Sequence, residues 1–297
     1  MSIPDLSSTV VAVFGPTASG KTAVAEALAD ALPAEIVSAD SMQVYRGLPI
    51  LTNQPQRTTA LVGVLPLDRE GSVAEYQQLA HEAIDGALAA GRTPIVAGGT
   101  GLYLRAAVAE LDIPPSPPPG LREDTEREYD RLGPERAHTL LAERDPQAAA
   151  TVHPNDRRRV VRALELHAAG ASLAPPSSRL WSAETRHPTR MFGLEVPMGV
   201  LETRIAVRTE AMFERGVEHE VAAALEGPIG RTASQIIGLR EIAELPREEA
   251  AAAIALRTRQ YAAYQRKWMR RVSGLELIAA DGDPGGAAGE ILARLVA

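Results

Sequence analysis

Eight residues near the start of the chain have the types and spacing to hold a phosphate chain. Gly15, Pro16, Thr17, Ala18, Ser19, Gly20, Lys21 and Thr22 fit G-x-x-x-x-G-K-[ST] completely. The glycines let the backbone curl so that its N–H groups point at phosphate oxygens, and the start of the following helix adds about half a positive charge. Lys21 adds a full charge, and the Thr22 hydroxyl suits Mg2+. The motif specifies a phosphate chain and leaves its owner open. An ordinary P-loop enzyme holds its metal with an aspartate after a later strand. Here that strand, 94–97, runs into Gly-Gly-Thr-Gly with no acid. The acid comes earlier, at Asp40, just past a strand at 35–39. Strand carboxyl ends in such sheets face the ligand crevice. Asp40 is therefore the candidate to take a proton from an incoming nucleophile, or to hold Mg2+ through water; the plain alternative is a turn aspartate before Ser41. Asp68-Arg69-Glu70-Gly71 copies a D-x-x-G switch, but no N-K-x-D guanine-reading motif occurs, so it reads as a turn.

Basic residues supply the second signal. Of 31 lysines and arginines only Lys21 and Lys267 are lysine. Arg204, Arg208 and Arg215 share one helical face, and the first two lack an acid three or four positions away. Such arginines suit a diphosphate or an RNA phosphate. Segment 257–271 carries Arg257, Arg259, Arg266, Lys267, Arg270 and Arg271 without an acid. Tyr261, Tyr264 and Trp268 share one of its faces, which reads as core. Arg259, Arg266 and Arg270 share the opposite face, which reads as an RNA-backbone rail. Arg157, Arg158, Arg159 and Arg162 open another helix, with Asn155 or Asp156 as its cap. A solvated face is the bland alternative for each cluster. The net charge of -7 argues against nucleic acid only as a total, because fields are screened over about 8 Å at physiological salt.

These groups need a scaffold. Strand patterns at 10–14, 35–39, 94–97 and 191–196 alternate with helical patterns at 21–32, 72–90, 201–225 and 247–272. That alternation predicts an α/β fold, a P-loop NTPase-like parallel sheet core flanked by helices. IPPSPPPG at 113–120 is a stiff connector; charged helical sequence follows to 169, and a second break spans 174–188. The expected division is a core of 1–120 and 186–297 around a helical insertion domain at 121–185. The glycine-rich tail at 281–288 reads as loose. No run approaches the roughly 18 apolar residues of a bilayer span, and the first residues lack the basic region of a secretory signal. The absence of cysteine removes disulfides and thiolate chemistry and fits a cytoplasmic protein.

Together the motifs resemble the tRNA dimethylallyltransferase family, also called tRNA isopentenyltransferases. They are GPTASGKT at 15–22, SADSMQVYRG at 38–47, GGTGLY at 98–103, HPNDRRRVVRALEL at 153–166, TASQIIGLRE at 232–241 and TRQYAAYQRKWMRR at 258–271. The first alone is generic; the set in this order is specific and spans nearly the whole chain. The resemblance implies a P-loop core with a mobile, tRNA-facing helical insertion. It implies transfer of the dimethylallyl group from dimethylallyl diphosphate to N6 of the adenosine beside the anticodon, with Mg2+ as cofactor. Residues 15–22 with Arg204 and Arg208 would grip the diphosphate. Asp40 would be the general base, Thr22 would assist, and both would serve the metal. Contacts to tRNA would come from Asp40, Ser41, Met42, Gln43, Thr100, Arg157, Arg158, Arg159, Val160, Val161, Arg162, Ser234, Gln235 and Gly238, with Arg259 and Arg266 added from the rail. The expected partners are the anticodon stem-loop of tRNA and dimethylallyl diphosphate, with no membrane and the chain acting as a monomer. The chain departs from the family pattern at 48–55, where LPILTNQP lacks the usual lysine. It also lacks a His-His pair within 60–67, and Ala263-Tyr264 replaces a basic pair. A small-molecule P-loop kinase shares the first motif. A prenyltransferase acting on free adenine nucleotides is closer in fold, but needs neither the insertion nor the basic clusters.

Overall fold

β1, Val10–Phe14, is buried over its full length, as a strand covered on both faces must be. The computed structural model describes residues 6, 8–114, 117–118, 120–173 and 179–296. Among these, β1 lies at the centre of one five-stranded sheet of order β2-β3-β1-β4-β5. Its companions are β2 (Ala34–Ser38), β3 (Thr93–Gly98), β4 (Thr189–Glu195) and β5 (Leu275–Ala279). All four pairings are parallel. The helices, in chain order, are α1 (Lys21–Ala31), α2 (Val73–Ala89), α3 (Gly101–Val108), α4 (Leu121–Leu132), α5 (Pro134–Arg144), α6 (Pro146–Ala149), α7 (Arg157–Ala168), α8 (Met198–Glu214), α9 (Val217–Leu225), α10 (Leu239–Glu244), α11 (Arg247–Met269) and α12 (Pro284–Val296).

The chain divides into two compact units, 1–110 with 180–297, and 111–179. The first holds the sheet. Its core joins Val11, Val13, Leu28, Ile95, Phe192, Leu194, Ile205 and Ile278. The second unit holds α4 to α7 around Tyr129, Leu141, Val160, Val161 and Leu164. The breaks fall earlier than the 120 and 185 read from composition. Residues 180–185 belong with the sheet because the buried Arg105 side chain donates to the carbonyls of Leu180 (3.0 Å) and Glu184 (3.1 Å).

Three further expectations need correction. The tail is helical, not loose: α12 buries Ala287, Ala288 and Ile291 in the core cluster that also holds Leu28 and Ala29 of α1, and this packing overrides the glycines' poor helix propensity. The single helix expected over 201–225 is two, broken at Gly216, whose φ of 85° needs a residue without a Cβ. The aromatic face of α11 is not its core. The buried row is Ala250, Ile254, Thr258, Ala262 and Gln265, and Tyr264 is 55% exposed. β5 was not expected at all; it stands at the end of the strand order, and its half-exposed pattern fits a sheet edge.

Candidate active site

The cradle leaves β1 where Phe14 pairs with Gly98 of β3. Two residues turn it left-handed, Ala18 at φ 65° and Gly20 at φ 90°. For alanine that conformation costs roughly 1–2 kcal/mol, strain of the kind that gathers at functional sites. α1 begins at once, with no side-chain cap, so its first N–H groups have no intrahelical acceptor. The Ser19 hydroxyl is buried inside the loop without a hydrogen-bond partner. A Cβ at Gly15 would lie 2.6 Å from that hydroxyl, which explains the glycine.

Lys21 Nζ donates to the Pro16 carbonyl at 2.8 Å, folding its charge back over the loop. Burial pushes the Lys21 pKa down to about 8; Asp40 pulls it back up, and Arg208 lowers it further. Burial likewise opposes the charge of Arg208, and Asp40 supports it. One carboxylate thus balances two half-buried cations beside the cradle. Met42 N–H donates to Asp40 Oδ1 at 2.9 Å, so Asp40 is also a turn residue. The two readings are compatible, because the bond occupies one oxygen.

The loop after Asp40 is fastened to the chain after β3. A Cβ at Gly98 would sit 2.1 Å from the Ala39 carbonyl, so only glycine permits the approach. The Thr100 hydroxyl accepts from Ser41 N–H at 3.3 Å and lies 3.3 Å from the Tyr261 hydroxyl. Burial, and then the field of Asp40, raise the Tyr261 phenol to about 12. The Gln43 amide donates to the carbonyls of Thr52 and Asn53 and its oxygen accepts from Ser38 Oγ. Glu220 accepts from Ile50 and Leu51 N–H at 2.6 and 2.8 Å.

Gln265 of α11 was missed as a site residue. Its oxygen accepts from Thr17 N–H at 2.7 Å and its amide donates to the Gly99 carbonyl at 2.8 Å. It therefore braces the cradle against the loop after β3. A signal existed: Gln265 continues the Ile254–Thr258 helical row, and a polar residue on a buried row must find partners.

The predicted residues do not all stand where expected. Arg204 is not free for an anion; it donates to the carbonyls of Ala18 (3.4 Å), Ala280 (3.4 Å) and Asp281 (2.8 Å) and ties the cradle to the end of β5. Arg215, on the same stripe, is an exposed C-cap. Val160 and Val161 are 0% and 1% exposed in the core of the second unit, where no RNA reaches them. Asp156 caps α7. Arg157 forms a two-pronged pair with Asp130, and Arg162 bonds the buried Glu165 at 3.2 Å. Arg158 and Arg159 are exposed and make no ion pair among the described residues. Ser234 and Gln235 are exposed, whereas Gly238 is buried. At Gly238 φ is 101°, and a Cβ would meet Leu51 at 2.6 Å, so its visible role is to admit the turn into α10. The D-x-x-G stretch is indeed a turn, and Glu70 within it accepts from the Thr232 hydroxyl at 2.7 Å.

A strand, a curled glycine-bounded loop and a helix, at the carboxyl edge of a parallel sheet, define a P-loop-like α/β protein. A family model described as IPP transferase matches residues 43–272, and one described as isopentenyl transferase matches 8–60. A tRNA dimethylallyltransferase of Anaeromyxobacter sp. (strain K) is 43% identical over 304 residues, covering 97% of this chain and 96% of that one. The crystal structure of a tRNA isopentenylpyrophosphate transferase from Bacillus halodurans superposes with a TM-score of 0.70 at 30% identity, covering 97% and 96%. A eukaryotic dimethylallyltransferase acting on tRNA gives a TM-score of 0.77 at 25% identity, covering 92% of this chain and 74% of that one. The chain belongs to the IPP transferase family, among the tRNA dimethylallyltransferases.

Proposed function

We propose that the protein transfers the dimethylallyl group of dimethylallyl diphosphate to N6 of the adenosine beside the anticodon of tRNA. The observation that supports this most is the pairing of the cradle with Asp40. Free amides, the partnerless Ser19 hydroxyl, Lys21 and Arg208 gather where a diphosphate leaves, and one acid is coupled to both cations. N6 attacks C1 of the prenyl group, the carbon that carries the diphosphate, as its carbon–oxygen bond breaks. The electron pair goes to diphosphate, whose growing charge the amides and cations stabilise. The N6 proton goes to Asp40. The target base must leave its stack, at a cost of a few kcal/mol.

Among the described residues no group of three or more His, Cys, Asp or Glu could hold a metal alone. Mg2+ needs only one or two carboxylates, completed by phosphates and water, so Asp40 and Thr22 fit it as holders in the presence of diphosphate. Bound there, it would supply Lewis-acid charge to the leaving oxygens. Of the expected tRNA contacts, all but Val160, Val161 and Gly238 are exposed or half-exposed, Ser41, Met42, Thr100, Arg158, Arg159, Ser234 and Gln235 among them.

The test incubates the protein with dimethylallyl diphosphate and an anticodon stem-loop RNA and looks for the added prenyl mass on adenosine. Prenylated AMP with unmodified RNA would reassign the acceptor. Phosphate transfer from ATP to a small acceptor, with no prenylation, would overturn the reading.

A further inference from the structure

α11 carries an exposed row that the arginine rail does not include. At about 100° per residue, Gln260, Tyr264 and Lys267 follow one another along the helix, Arg271 comes two residues past its end at Met269, and all four are exposed. This row adjoins the site. Its neighbours around the helix are Tyr261, which reaches Thr100, and Trp268, against which Gly101 packs so closely that a Cβ there would lie 2.3 Å from the indole. Arg259 and Arg266 lie on the opposite flank of the buried Gln265 row.

The row has the chemistry of a single-strand track. The Tyr264 ring is 55% exposed, which is costly for a ring without a partner. Tyr261 lies beside it, with centroids 6.5 Å apart and planes at 22°, an offset arrangement that leaves much of the Tyr264 ring open to stack on a base. Arg271 lies over the Trp181 ring at 3.8 Å. Lys267 and Arg271 make no ion pair among the described residues. Exposed rings with neighbouring unpaired cations are how proteins bind single strands, with bases stacked and phosphates neutralised. The path from Asp40 through Ser41, Thr100 and Tyr261 ends at Tyr264. With the target adenine at Asp40, the next unpaired base has an aromatic shelf to rest on.

We infer that Tyr264 is a stacking platform for the unpaired base next to the target adenosine, with Lys267 holding the adjoining phosphate. This rests on RNA being the substrate.

The test uses the full chain and an anticodon stem-loop RNA with 2-aminopurine beside the target adenosine. Tyr264→Ala should weaken RNA affinity about tenfold and abolish the fluorescence quench, while dimethylallyl diphosphate affinity and melting temperature stay unchanged. Tyr264→Phe should retain both affinity and quench. Lys267→Gln should make the log–log salt dependence of binding shallower by about 0.7, which tests the track without altering an aromatic residue. Unchanged affinity and quench in Tyr264→Ala would overturn the inference, as would equal losses in the alanine and phenylalanine variants. Failure of the unsubstituted protein to bind or prenylate the RNA would sink the functional reading instead, a result separable from either of those.

Discussion

At the residue scale the chemistry turns on Asp40 and Lys21. Asp40→Asn keeps the shape and the turn bond from Met42 but removes the proton acceptor. Turnover should fall roughly 10²-fold or more, with diphosphate and RNA affinity retained; single-turnover kinetics beside equilibrium binding separate the two. Lys21 gives a pH signature. Its pKa is pushed down to about 8 by burial, so the free protein holds the charge below that pH and loses it above. Diphosphate favours the charged form. Affinity should therefore weaken as pH rises from 7 to 9, and binding near pH 8 should take up protons, which calorimetry in buffers of different ionisation enthalpy would detect. Equal affinity at pH 7 and 9 would remove Lys21 from the grip. The sequence showed these two residues plainly, because a glycine-bounded loop and an acid after a strand are local patterns. It did not show that Arg204 spends its donors on backbone carbonyls, because those acceptors lie 186 and 76 or more residues away in the chain.

At the element scale the site depends on how strand ends and α11 are fastened. Replacing Gln265 with leucine leaves Thr17 N–H and the Gly99 carbonyl without their partners, at about 1–3 kcal/mol for each buried group. Gln265→Leu should lower the melting temperature and weaken diphosphate binding together, whereas a drop in stability with unchanged affinity would show the brace to be dispensable to the cradle. β1, β3 and the helices around them were legible because apolar runs and three- and four-residue spacing survive in the sequence. α12 was not legible. Gly282, Gly285, Gly286 and Gly289 mask the spacing of Ala287, Ala288 and Ile291, and what makes the segment helical is α1 packed against it. The valines of α7 mislead in the opposite way. A motif containing three arginines in a row suggested a surface, yet Val160 and Val161 face the second unit's own core.

At the scale of the whole molecule, the charge of -7 and the proposed polyanionic substrate are in apparent conflict. Much of the surface arginine is matched internally, as in Arg57 with Asp30, Arg157 with Asp130, Arg186 with Asp85 and Arg190 with Glu276. Such exposed pairs contribute about 0–1 kcal/mol each to stability, but they cancel charge locally. What remains for RNA is the unmatched exposed remainder, Arg158, Arg159, Lys267 and Arg271 among them. Affinity for the stem-loop should fall linearly in log–log form with salt, with a slope set by these few groups and not by the net charge. A slope near zero in a salt titration would count against any phosphate track.

The position of Gln265 also bears on how the protein is born. A ribosome that has made residues 15–22, Asp40 and the Gly-Gly-Thr-Gly turn has supplied the loop and the acid of the proposed site, yet the residue that locks two of those segments together is more than 160 positions further on. Until α11 emerges and folds back, nascent chains hold the cradle's parts without its brace, so competence to bind should arrive late in translation and all at once.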